Sequence, residues 1–419
     1  MIIHVAEQGE TLASVARRYR VSPKRLGQEN GVLENEGLAA GQALAVLFPA
    51  QVHTVQKGET LYGIARRYGI SLRQLYRNNP GAAAQPYLYP GDRLVIRYRQ
   101  NKLGRIESSG YAYPSTPREL LRAALPYMTQ ALPFTHELTR GGTLAPLADE
   151  AVLEEARSLG TAAVMSVSNL REPDGFDSST AHLVLNSPEL QQSLIQDIQK
   201  EISQKGYAGV DIDFEYLYQR DREKYPRFLR RLKEALGPSL LVRAAVAAKT
   251  ADGAGGRLVE GLDYRAIGEA ADAVLLMTYE WGYALGAPMA VAPLYKVREV
   301  LDYAAARIPR EKLLMGVPNY GYDWPLGGGR ARSVSNVEAV RLARSHGEEI
   351  LYDQEAQAPW FRYRHEGQER EVWFEDARSI RAKLRLAAEF GLRGIGVWNL
   401  SRPFPQGWTV LNALFRLEE

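Results

Sequence analysis

The chain has 419 residues, 45% of them apolar, with no cysteine and a formal net charge of +3. That length allows several domains, while the cysteine count excludes structural disulfides and thiol nucleophiles. No apolar run reaches the roughly 18 residues of a membrane span, and the modest charge makes nucleic acid a poor partner. The start, Met1-Ile-Ile-His-Val-Ala-Glu7, has neither the basic segment nor the apolar run of a secretory signal, so classical export is not expected. Residues 1 to 100 carry 13 Lys/Arg against 7 Asp/Glu, and the remaining 319 carry 39 against 42. The basic end therefore suits an anionic surface.

That end is an internal repeat. Gly9-Glu-Thr-Leu12 recurs as Gly58-Glu-Thr-Leu61, and Ala16-Arg-Arg-Tyr19 as Ala65-Arg-Arg-Tyr68, both at an offset of 49. Ser22, Leu26 and Asn30 return as Ser71, Leu75 and Asn79, and Gly41 and Leu44 match Gly91 and Leu94 after one extra residue. Within a copy, a short strand (His53-Thr-Val) precedes a helix with Leu61, Ile64, Ala65 and Tyr68 at helical spacing. A second helix around Leu72 to Asn78, a turn at Pro90-Gly91 and a closing strand Arg93–Arg97 complete a βααβ unit. These residues resemble LysM modules over 1–48 and 52–98, joined by the short spacer Pro49-Ala-Gln51. The resemblance implies binding of N-acetylglucosamine-containing glycans, peptidoglycan or chitin-like, through Gly58, Glu59, Thr60, Leu61, Pro90, Gly91 and Asp92. In the first copy the matching residues are Gly9, Glu10, Thr11 and Leu12. Two linked weak sites would hold one glycan strand at raised effective concentration; the plain alternative is a pair of docking or spacer units.

A polar join over residues 100–109 leads into alternating β-rich and amphipathic segments. Eight inner strands are predicted: Gly110–Tyr113, Tyr127–Ala131, Ala162–Ser168, Gly209–Phe214, Leu240–Ala247, Ala273–Thr278, Leu313–Val317 and Gly394–Val397. Eight strands in about 300 residues predict an α/β fold, a (β/α)8 TIM barrel over 107–419 with room for an insertion. Ser187-Pro188-Glu189 reads as a capped helix start just before the fourth strand.

That fourth strand, Gly209-Val-Asp-Ile-Asp-Phe-Glu215, carries three acids two residues apart, which point the same way, with Val210, Ile212 and Phe214 opposite. On a barrel strand the acids line the interior and Glu215 lies nearest the C-terminal rim. A solvated edge would explain the acids but not the apolar residues between them. The pattern resembles the Asp-x-x-Asp-x-Asp-x-Glu signature of family 18 glycoside hydrolases, with Asp211, Asp213 and Glu215 in the last three acidic positions and Ala208 in the first. Loss of the first acid is expected to remove one buried charge. Met277-Thr-Tyr-Glu280, Gly316-Val-Pro-Asn-Tyr-Gly321 and Gly396-Val-Trp398 match the sixth, seventh and eighth strands of that family. Residues 331–375 match its α+β insertion between strands seven and eight. The LysM pair and these motifs look most like the spore cortex-lytic and germination-associated branch of endospore formers.

The resemblance implies a retaining hydrolase in which the substrate's own acetamido oxygen is the nucleophile. Glu215 would be general acid and base, Asp213 would orient the acetamido N–H, and Asp211 would share a proton with Asp213. Repulsion between these acids would keep Glu215 protonated. Tyr279 would donate to the acetamido carbonyl, Trp398 would floor the sugar, and Glu280, Asn319, Tyr320 and Trp281 would contact substrate. No cofactor is implied. The six histidines lack metal-ligand spacing, and Gly327-Gly-Gly329 lacks the Lys-Ser/Thr of a phosphate loop and reads as a flexible rim. The expected product is a monomeric β-N-acetylglucosaminidase acting on peptidoglycan at the spore coat or cortex. Chitin hydrolysis, or glycan binding by a silent barrel, are the alternatives.

Overall fold

The computed structural model describes residues 1–85, 87–171, 173–252 and 256–419. Each N-terminal repeat folds as strand, two helices and strand. The first comprises Ile2–Val5, Leu12–Tyr19, Pro23–Asn30 and Ala43–Val46; the second comprises Pro49–Thr54, Leu61–Arg67, Leu72–Asn78 and Arg93–Tyr98. In each, the two strands pair antiparallel. Thr11, Ser22, Thr60 and Ser71 cap the four helices through their side-chain oxygens, which satisfies backbone donors that a helix start leaves open. Asn30 and Asn79 do identical work. The Asn79 amide donates to the Leu75 and Val95 carbonyls at 2.8 and 2.9 Å and accepts from the Val95 N–H at 2.8 Å, and Asn30 repeats the three bonds on Leu26 and Ala45. The tripeptide Pro49-Ala-Gln51, read as a spacer, is the start of a strand instead. The first module is thereby tied to the second, and Arg25 adds hydrogen bonds to the Asn78 carbonyl and the Asn79 side chain.

Eight parallel strands follow: Gly104–Ala112, Gln130–Pro133, a third in two pieces (Ala162–Ala163 and Met165–Ser168), Gly209–Asp213, Leu241–Ala247, Ala273–Met277, Leu313–Pro318 and Gly394–Trp398. Each pairs with the next and the eighth pairs with the first. At the interrupted third strand the Val164 N–H still reaches the Ala131 carbonyl at 2.9 Å, so the ring closes as a (β/α)8 barrel. One apolar layer, including Val210, Ile212 and Phe214, packs between strands and helices. A second, with Tyr111, Leu132, Phe134, Ala245, Leu275 and Leu314, fills the interior.

Three boundaries differ from the sequence reading. The polar join is half strand: Ser108 and Ser109 are buried because their hydroxyls donate to the Tyr127 and Ile395 carbonyls, and Glu107 pairs with Arg393 at 2.8 Å. The second strand begins at Gln130, since Pro126 sits in a 3-10 turn over Leu125–Tyr127. The insertion's five-stranded sheet opens at Gly321, ten residues earlier than the polar composition suggests, because Gly321–Pro325 pairs with Gln368–Trp373. Gly327 to Gly329 then turn the chain out of that first insertion strand.

The modules are docked on the barrel. In the second, Arg73 donates to the Gly160 carbonyl at 3.0 Å, and Arg77 donates to the Pro126 carbonyl at 2.6 Å and pairs with Glu419 at 3.0 Å. In the first, Gly41 lies so close to Ile350 that a Cβ would come within 2.0 Å of its carbonyl oxygen, at a positive φ of 75° that also favours glycine.

Candidate active site

The fourth strand is delivered by the helix Pro188–Lys205, which starts on the Ser187 cap and ends at Gly206 with φ 74°. Phe214 stacks on Tyr225 and Phe228 of the covering helix, at 5.9 and 6.2 Å between centroids. The apolar set is thus locked outward and the acids inward. Asp211, 0% exposed, accepts a hydrogen bond from the Tyr111 hydroxyl at 2.7 Å, a contact that crosses the interior from the first strand. Its other oxygen lies 3.1 Å from Arg243 Nε, an ion pair whose N–H points off the oxygen and so forms no hydrogen bond. Asp213 is buried with Oδ1 lacking a hydrogen-bond partner among the described residues. Glu215, half-buried at the C-terminal mouth, is held by its backbone: the Asn169 side chain accepts from its N–H at 2.9 Å and donates to its carbonyl at 3.0 Å.

Removal from water raises Glu215 to about 7, and the nearby charge of Glu280 adds to the shift. Burial raises Asp213 well above the carboxylate range, with Glu215 and then Asp211 adding to it. The repulsion expected at Glu215 is therefore secondary to desolvation, and Glu280 is its source. Ala208, in the first acidic position, is exposed at the opposite end of the strand, so an acid there would face water; its replacement removes no buried charge.

Tyr279 follows the sixth strand and is half-buried, its ring fitting because Gly316 leaves space: a Cβ there would lie 2.8 Å from the ring. Burial first, then the charges of Asp213, Glu215 and Glu280, keep its hydroxyl protonated far above the usual range. Glu280, exposed at the mouth with φ 67°, is held by the hydroxyls of Tyr320 and, at 3.1 Å, Tyr322. Trp398 is half-buried at the end of the eighth strand, ringed by Phe134, Tyr111 and Tyr113 at 4.7, 5.5 and 5.9 Å between centroids. Trp281 is half-buried against the outer apolar layer.

Several expected ligand contacts have other tasks. Asn319 is 0% exposed; its amide donates to the Asn399 and Arg402 carbonyls at 2.8 and 2.9 Å, so it clamps the chain after the eighth strand and is not a sugar contact. Tyr320 is buried and serves Glu280. In the modules, Leu12 and Leu61 are core residues. Glu10 and Glu59 close their own loops: Glu59 accepts from the Gln56 N–H at 2.7 Å and meets His53 at 2.6 Å, and Glu10 repeats this with Glu7 and His4. Thr11 and Thr60 cap helices while exposed, Gly9 and Gly58 turn at φ 83° and 84°, and Pro90, Gly91 and Asp92 form an exposed loop. Sequence reasoning missed Tyr111, Asn169, Tyr322 and Arg243. Of these Arg243 left a trace, as the one charge inside the apolar run Leu240–Ala247.

Two family models match the chain: Glycosyl hydrolases family 18 over residues 156–402, and the LysM domain over 4–46 and 53–97. A cortical fragment-lytic enzyme of Bacillus subtilis (strain 168) is 39% identical across 100% of this chain and 99% of its own length. That of Bacillus anthracis is 37% identical across 98% of this chain and 97% of its own. The crystal structure of the Bacillus cereus spore cortex-lytic enzyme SleL superposes with a TM-score of 0.84 at 34% identity, covering 100% of this chain and 98% of that one. With acids, tyrosine and tryptophan at the mouth of a closed barrel behind two LysM domains, the chain belongs to the glycosyl hydrolases of family 18.

Proposed function

We propose that the enzyme cleaves β-linked N-acetylglucosamine in peptidoglycan, namely spore cortex or fragments released from it, with retention of configuration. The reading is carried by one observation: Glu215, raised to about 7, stands at the barrel mouth two residues beyond a buried Asp213 and beside Tyr279. In family 18 the substrate supplies its own nucleophile. Glu215 gives its proton to the bridging oxygen as the C1–O bond breaks, and the acetamido carbonyl oxygen attacks C1 from the opposite face, forming an oxazolinium ring. Asp213 accepts from the acetamido N–H and offsets the positive charge, while Tyr279 donates to the acetamido oxygen and aligns it. The Glu215 carboxylate then takes a proton from water, whose oxygen attacks C1 and reopens the ring, returning both the acid and the original configuration. Trp398 offers its face to the pyranose, and Glu280 its carboxylate to sugar hydroxyls.

Cortex as substrate, and the spore as location, are supported by the names of the full-length relatives. Purified cortex fragments and chitin oligomers, incubated with wild type and Glu215→Gln, test the reading by mass identification of the new reducing end. Wild type should release fragments ending in N-acetylglucosamine, and the variant should be slower by about 10²–10⁴-fold. Equal turnover by the two would remove Glu215 from the chemistry, and faster cleavage of chitin oligomers would replace cortex as the substrate.

A further inference from the structure

Arg243 is 0% exposed beside the acids of the site, and no step above uses it. It is the register partner of Asp211 on the adjacent parallel strand, so both side chains enter the interior at the same height. Nε lies 3.1 Å from Asp211 Oδ1, and Nη1 donates to Gln130 Oε1 at 2.5 Å. Nη2 has no partner among the described residues. The remaining Asp211 oxygen is taken by the Tyr111 hydroxyl. Both oxygens of Asp211 thus face groups other than Asp213.

We propose that Arg243 is a positioning residue for the reaction: its guanidinium supplies the countercharge of Asp211, leaving Asp213 with Glu215 and the sugar amide as its proton partners. The inference rests on the roles given above to Asp213 and Glu215. A buried cation facing one carboxylate is tolerated only when paired, and pairing removes the need for a proton between two like charges. The titratable groups around the pair are Tyr111 on the first strand, Asp213 and Glu215 on the fourth, Tyr279 and Glu280 after the sixth, and Tyr225 from the helix behind the fourth. Arg243 is the cation that faces Asp211.

The test is the pH profile of kcat on cortex fragments for wild type, Arg243→Gln, Arg243→Lys, Asp211→Asn and the double variant Asp211→Asn/Arg243→Gln. Removing the cation should move the alkaline limb up by about one pH unit, and removing the anion should move it down by a similar amount. The double variant should return the limb to the wild-type position, whatever its absolute rate, and Arg243→Lys should leave it there. An unmoved limb in Arg243→Gln, or a double variant whose limb coincides with that of Asp211→Asn, overturns the proposal. If Arg243→Gln does not fold, the comparison of Asp211→Asn with the double variant decides alone. Failure of the underlying functional reading looks different, since wild type would then not cleave the fragments at all.

Discussion

Glu215 titrates about 7 because its carboxyl leaves water and meets the charge of Glu280. Its role as acid requires the proton, so turnover should fall as pH rises through about 7, which a kcat profile on defined fragments would read. The same shift bears on stability. A carboxyl held up in the folded state, against 4.5 for an unperturbed glutamate, contributes stability that is complete below 4.5 and lost as pH rises through about 7. Glu215→Gln should therefore melt above wild type at pH 8 and lose that advantage at pH 4, as differential scanning calorimetry at the two pH values would show. Which acids would line up was legible from their spacing of two. Arg243, Asn169 and Tyr111 were not, because each reaches the acids from a different strand or strand end, tens of residues away in sequence, and periodicity carries no information about what stands beside or opposite.

The elements were well marked locally. Helix starts coincide with Ser and Thr caps, and the repeat at an offset of 49 reproduces the same asparagine clamp twice. Asn79→Ala would remove those three hydrogen bonds together with the one from Arg25 and orphan the buried Val95 N–H, costing about 2–3 kcal/mol. Denaturant unfolding should show the loss, and hydrogen exchange should localise it to the second module. Gly316→Ala is the corresponding test on the barrel: a Cβ 2.6 Å from the Leu276 carbonyl oxygen and 2.8 Å from the Tyr279 ring must shift both, so kcat should fall at least tenfold, with a small loss of melting temperature beside it. Elements were misplaced where polar residues are buried by carbonyl partners, as at Ser108 and Ser109, or where a strand of an antiparallel sheet begins within a few residues of a barrel strand's end, as at Gly321 after Pro318.

At the scale of the whole molecule the second module is fixed to the barrel by arginines that donate to backbone carbonyls which the docking buries. Arg77→Ala would leave the Pro126 carbonyl without its partner and Glu419 with only the Ser71 hydroxyl, at a cost of about 2 kcal/mol. Faster proteolysis near residues 99–103 should accompany it, with the barrel's activity on small fragments retained. The two repeats, alike in sequence, meet different surroundings: the later loop of the first is buried on Ile350 and Arg378, whereas Pro90 to Asp92 of the second stay exposed.

Sequence alone determined the repeat, the parallel barrel and the inward row of acids, because these follow from chain-local spacing: 49 residues, alternating β and amphipathic runs, and a period of two. Tertiary structure decided the charge state of the acids, the partner of Asp211, the withdrawal of Asn319 from the substrate, and which module loop remains open. Those depend on desolvation and on contacts between residues tens to hundreds of positions apart, which exist only once the barrel has closed.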